Sequence, residues 1–176
     1  MTAYRRDFTI GLREIRDLYL FLAMEHWRKG IAGFAAVGAL AAAMYVMGTE
    51  LSLPVKVAAA VGGALAAAGI AALIVALSTC RRVREQVRRS GRESYVQETE
   101  INGFGVHVTV GKDRAKLAFE NLLRAVETRR AFYLFISAGQ AWILPKKQME
   151  DPQGETERLR EILRTVLERK KLRLKG

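Results

Sequence analysis

The sequence predicts an α+β membrane protein: a two-helix transmembrane hairpin and a small β domain closed by a C-terminal amphipathic helix. Three observations carry this. Two apolar runs lie close together, residues 30–47 with no charged residue in 18 and residues 57–77 with none in 21. Short runs of alternating apolar residues, punctuated by turn signals, follow between residues 94 and 145. An apolar stripe of helical period comes after them.

The apolar runs come first in the argument because their length is diagnostic. At about 1.5 Å of rise per residue, 21 helical residues reach roughly 31 Å, the thickness of a ~30 Å hydrocarbon core. The 18-residue run reaches about 27 Å, which suffices. Both runs are rich in Ala and Gly, so a pair of buried helices in a soluble core is the alternative. Two uncharged helices without a polar face argue against it. The first run stands behind an amphipathic charged segment, which sets it apart from a cleaved signal sequence.

Charge sets the expected orientation. The net charge is +11. Residues 30–79 hold only Lys56 and Glu50, and the connection GTELSLPVK carries that single Lys. Arg28 and Lys29 precede the first run, and Arg81, Arg82, Arg84, Arg88, Arg89 and Arg92 follow the second. By the positive-inside bias, both termini are expected in the cytoplasm and the short loop outside. The expected organisation is an N-terminal segment at 1–29, a hairpin at 30–79 (spans 30–47 and 57–77), a basic juxtamembrane linker at 80–92, and a cytoplasmic domain at 93–176.

Small residues within the spans recur every four positions: Ala60, Ala64, Ala68, Ala72 and Ala76 with Gly63 and Gly69, and Ala35, Ala39 and Ala43 with Gly38 and Ala42. That spacing puts them on one helix face, where backbones can approach closely. The expected helix-packing residues are Ala60, Gly63, Ala64, Ala68 and Ala72, either within the hairpin or between copies in a homo-oligomer. No ionisable residue lies inside either span, so transport or proton relay is not expected. Cys80, the only cysteine, precludes an intrachain disulfide; it reads as a small interfacial residue or an acylation site. His26 and His107 stand apart, without clustered carboxylates, and no metal site is expected from them.

The strands follow in order. Residues 94–101 precede Asn102-Gly103, a favoured tight-turn dipeptide. Phe104, Val106, Val108 and Val110 alternate as in a half-buried strand. Gly111-Lys112-Asp113-Arg114 turns the chain into Ala115, Leu117 and Phe119. Residues 131–137 form the strongest strand, turned by Ala138-Gly139-Gln140 into residues 141–144 and ended by Pro145. Leu159, Ile162, Leu163, Val166 and Leu167 then make one helical stripe, with Pro152 and Gly154 marking the break before it and Glu155 and Glu157 at its start. The basic residues through Arg173 and Lys175 are expected to meet anionic lipid or solvent. Five or six short strands and one closing helix outline a pleckstrin-homology-like (PH-like) fold.

The chain resembles the YcxB-like bacterial membrane proteins. The resemblance rests on Val126-Glu127-Thr128, the aromatic strand Phe132-Tyr133-Leu134-Phe135, and Ala141-Trp142-Ile143-Leu144-Pro145-Lys146-Lys147. The charged helix over 155–167 follows at the family's distance. Residues 4–10 resemble the family's first strand. Phe119-Glu120-Asn121 stands where family members often carry a Trp. The resemblance implies that residues 4–10 pair into the cytoplasmic sheet, so that the transmembrane hairpin is inserted in the PH-like β domain. It also implies a bacterial plasma membrane. Residues 12–28, with Tyr19, Phe21 and Trp27 as an aromatic belt, are then expected as an amphipathic helix lying at the interface or rising into the membrane, continuous in part with the first span.

Two function classes remain. The first is a membrane-anchored adaptor or regulator whose domain binds a protein partner. The second is a sensor of anionic headgroups or a small anionic ligand, with Arg81, Arg82, Arg84, Arg88, Arg89, Lys146 and Lys147 as contacts; orientation of the hairpin explains the arginines equally well. The pI near 10.2 invites nucleic acid, but the spans already account for the basic cluster. No enzyme and no cofactor are expected. Glu98, Glu100, Glu120 and Glu127 read as solvated strand or turn positions, and Gly103-Phe104-Gly105 sits in a hairpin rather than a phosphate loop.

Overall fold

The computed structural model describes residues 2–50, 52–91 and 94–174. They form two compact units, Tyr19–Gln86 and a second that joins Met1–Leu18 to Val87–Gly176. Arg92 and Lys175, named above among the basic residues, lie outside the described residues.

Helices α1 (Leu12–Met47) and α2 (Leu53–Ser90) are 36 and 38 residues long, or about 54 and 57 Å. Both therefore outrun their apolar stretches. Residues 12–28 continue into the first stretch without a break, and the basic segment expected as a linker is helical through Ser90. Nothing between Arg81 and Ser90 disfavours helix. Gly91 then adopts a left-handed conformation, φ +65°, as the residue after a helix end commonly does. At the other end, Gly11 N–H donates to Glu14 Oε2 at 3.0 Å, a side chain reaching back to cap the first turn of α1.

Within Tyr19–Gln86, the expected packing residues Ala60, Gly63, Ala64, Ala68 and Ala72 are half-buried, as are Ala35, Gly38, Ala39, Ala42 and Ala43. The seam is tightest where two glycines meet. A Cβ on Gly38 would sit 2.5 Å from Gly63 O, and one on Gly63 would sit 2.6 Å from Gly38 O. At Gly38, Gly63, Ala42 and Ala67 the small residues thus let the two helix backbones approach closely. Leu65, Ile70, Leu73, Ile74 and Leu77 point outward, 57–69% exposed.

The other unit is built on two antiparallel-rich sheets. The first has the order β1-β2-β3-β4 from β1 (Thr2–Gly11), β2 (Ser94–Asn102), β3 (Gly105–Val110) and β4 (Asp113–Ala118). The second is β7-β6-β5-β8, from β5 (Arg124–Glu127), β6 (Ala131–Phe135), β7 (Ala141–Pro145) and β8 (Leu172–Arg173). Strand β1 pairs with β2 across the intervening helices, Gly11 opposite Ser94 and Phe8 opposite Gln97. Phe8, Ile10, Ile101, Phe132, Leu134 and Phe135 are fully buried and anchor the core. Gln97 crosses between the sheets, its Nε2 donating to Ile143 O at 3.1 Å. On β1, the Gln148 side chain mimics a neighbouring strand: Thr9 N–H donates to its Oε1 and its Nε2 donates to Thr9 O, each at 2.7 Å.

Three local expectations change. Phe104 is not a core residue but an 85% exposed hairpin tip. The cause is Asn102, whose Oδ1 accepts from both Phe104 N and Gly105 N at 3.0 Å; the side chain turns the chain one residue later than a central Asn-Gly would. Pro145 belongs to β7 rather than following it. Pro152 and Gly154 do not break the last helix but lie in its first turn, because α3 (Pro152–Val166) starts there with Asp151 as its cap. Asp151 Oδ1 accepts from Gln153 N at 3.2 Å. Asp151→Ala is expected to lower domain stability by about 1 kcal/mol, seen as a shifted thermal melt of the detergent-solubilised chain. Strands β5 and β8 were not foreseen: β5 is four residues long and β8 two, too short to show alternation.

Candidate functional site

The residues that carried the family resemblance meet in space. Thr128 makes the β5–β6 turn: its N–H and Oγ1 both donate to Ala131 O at 2.9 Å, and its Oγ1 accepts from Ala131 N at 3.1 Å. The preceding Glu127 is inward, opposite Phe132 on β6, with a side chain that is 0% exposed. Arg160 of α3 grips it with two donors, Nε to Oε2 at 2.9 Å and a terminal nitrogen to Oε1 at 2.8 Å. Lys146 Nζ donates to Oε1 from just after β7 and lies 4.9 Å from the centre of the Phe132 ring. Glu127 is therefore a buried ionic centre and not the solvated strand position expected above.

Both oxygens of Glu127 accept from cations, so the carboxylate joins β5, the segment after β7 and α3. Hydrogen bonding to Glu127, then to Glu157, raises the Arg160 pKa further above its usual range. Lys146 and Lys147, neighbours in sequence, have separate surroundings. Lys146 is 16% exposed and held by Glu127, whereas Lys147 is exposed. Arg81, Arg82, Arg84, Arg88 and Arg89 are all exposed along the last turns of α2.

The opposite face of the second sheet carries a small cleft. Register places Ala131 beside Pro145 and Tyr133 beside Ile143, so all four share the face away from Glu127 and form an apolar floor. The first turns of α1 border it with Arg13, Glu14 and Asp17, and Arg130 and Lys147 complete the rim. Arg130 donates to Asp17 Oδ2 at 2.8 Å, and that hydrogen bond raises the guanidinium's pKa. Burial, reinforced by Asp17, raises the pKa of Tyr133, which keeps its phenol neutral. Of these residues, sequence reasoning singled out Lys147 alone as a candidate ligand contact.

Residues 101–163 match the family model described as YcxB-like protein. Over that segment the chain is similar to the YcxB-like family. The match runs from late in β2 into α3 and so includes Glu127, Lys146 and Arg160. Strand β1 lies outside it, yet completes the first sheet of the same unit with two fully buried side chains, Phe8 and Ile10. No curated protein and no solved structure matches the chain.

Proposed function

We propose that this chain is an integral membrane protein of the bacterial plasma membrane, crossing it twice with both termini in the cytoplasm. Its PH-like domain acts there as an adaptor or regulator that holds a protein partner at the membrane face. The observation that carries the membrane reading is the state of the two helices. Only 6% of the most apolar 18-residue window of each is buried, whereas a helix built for a soluble core hides its apolar side. Outward side chains such as Phe34, Val37, Leu40 and Met44, 56–67% exposed, form more apolar surface than water tolerates on a soluble protein.

Two further points support the orientation. Arg28, Lys29 and the arginines of α2 flank the hairpin on the sides of residues 12 and 90, in keeping with the positive-inside bias. In addition, β1 pairs with β2, and a chain crossing a bilayer an odd number of times between them could not form that sheet. The PH-like assignment rests on seven strands in two sheets followed by a helix, α3, that ties onto β5.

For the partner, the supporting feature is Phe104. A phenyl ring exposed to 85% at a hairpin tip is unfavourable in water and is the kind of aromatic anchor that interfaces bury. Crosslinking in native membranes, followed by purification of the tagged full chain, tests this. One protein recovered in near-stoichiometric amount from the wild type, and lost from Phe104→Ser, is the expected result. Recovery of the chain alone, or of lipid alone, overturns the adaptor reading in favour of headgroup sensing.

A further inference from the structure

The cleft beside the second sheet gathers Arg13, Arg130 and Lys147 at one mouth. All three cations are exposed, and the rim carries three basic side chains against two acidic ones, an excess of positive charge that favours an anion there. Two carboxylates border the same cleft, but each is engaged within the domain. Glu14 accepts from Gly11 N–H at 3.0 Å, and Asp17 accepts from Arg130 at 2.8 Å. Neither Arg13 nor Lys147 takes part in an ion pair among the described residues. The Asp17 contact also fixes the Arg130 guanidinium in direction, which is how an anion-binding arginine is preorganised.

Size narrows the ligand. The cleft has room of about 40 Å³, where a single water needs roughly 10–15 Å³ by the same kind of measure. A phosphate-sized group fits there, with the rest of any larger ligand lying outside the open mouth. The floor is rigid, since Ala131, Tyr133 and Ile143 are 2–4% exposed. All the lining residues belong to the unit that carries the β domain.

We propose that this cleft binds a terminal phosphate group, with Arg13 and Lys147 as its free cationic contacts and Arg130 held in place by Asp17. The phosphate comes from a lipid headgroup or a soluble metabolite, and the site does not depend on the protein partner inferred from Phe104. The test uses the full chain in nanodiscs of zwitterionic phosphatidylcholine, with arginine side-chain NMR signals as the readout. Inorganic phosphate is expected to shift the Arg13 and Arg130 signals saturably. Arg13→Gln and Lys147→Gln, both at exposed positions, are each expected to weaken that binding roughly tenfold, the usual loss for one charge-assisted contact. Arg114→Gln, on exposed β4, is expected to leave it unchanged.

Discs containing phosphatidic acid separate the sources. If they shift the same two signals without added phosphate, the ligand is a headgroup; if only free phosphate does so, it is soluble. The proposal is overturned if no saturable shift occurs up to about 10 mM phosphate, a concentration that detects affinities as weak as ~1 mM. It is equally overturned if Arg114→Gln weakens binding as much as Arg13→Gln and Lys147→Gln do.

Discussion

Glu127→Gln is expected to cost the β domain about 3–5 kcal/mol, because it removes the buried anion shared by two largely buried cations, Lys146 and Arg160. For a domain of this size that corresponds to a fall in Tm of roughly 15–30 °C, measurable by near-ultraviolet circular dichroism of the full chain in detergent. Arg160 and Lys146 are 20% and 16% exposed at their side chains, so neither ion escapes to water without moving α3 or the segment after β7. The companion variant decides the cause. Replacing all three residues together, Glu127→Leu with Lys146→Met and Arg160→Met, is expected to restore most of the loss, since a packed apolar cluster is often as stable as a buried ion network. If Glu127→Gln leaves the melt within about 1 kcal/mol of wild type, the network is not the lock between β5 and α3 described above.

Gly63→Leu is expected to force the hairpin apart. The added side chain meets the Gly38 carbonyl and the Ala42 methyl group at 2.6 Å, and backbone cannot yield as a flexible side chain does. A penalty of about 1–3 kcal/mol follows from overpacking of this kind, read as a lower melting temperature and faster trypsin cleavage in detergent. Gly69→Leu supplies the control, because nothing lies within 4 Å of its would-be Cβ. The two variants carry the same change on the same helix. Equal damage from both would mean that the glycine contact is not what holds α1 to α2, and would turn attention to contacts between copies.

These two sites differ in how far the sequence discloses them. The two long apolar helices were legible because each contains an uncharged run too long for a strand, and because small residues at a spacing of four share one helix face. Strands β2, β3, β6 and β7 were legible from alternation and turn residues. Glu127 was not. A carboxylate in a strand ordinarily faces solvent, and its partners are 19 and 33 residues away, with no local pattern that pairs them. The one available hint was its position directly after Ala125-Val126, in an apolar run. The cleft was still less visible, since Asp17 and Arg130 are separated by 113 positions and the helices α1 and α2 interrupt the domain in sequence between β1 and β2. Phe104 was misread for a different reason: apolar alternation continues through it, and only the side-chain hydrogen bonds of Asn102 reveal where the turn falls.

The pairing of β1 with β2 also sets a timetable for biosynthesis. Residue 11 leaves the ribosome well before its partner at residue 94 exists. At 5–20 residues per second the gap of 83 positions lasts about 4–17 s, far longer than a strand takes to find a partner once one is present. Through that interval Phe8 and Ile10 have no sheet to enter, and both helices must be made before they do. Arg5 and Asp7, interleaved with them on the other face of the strand, put charges of the kind that discourage edge-to-edge pairing into the waiting segment.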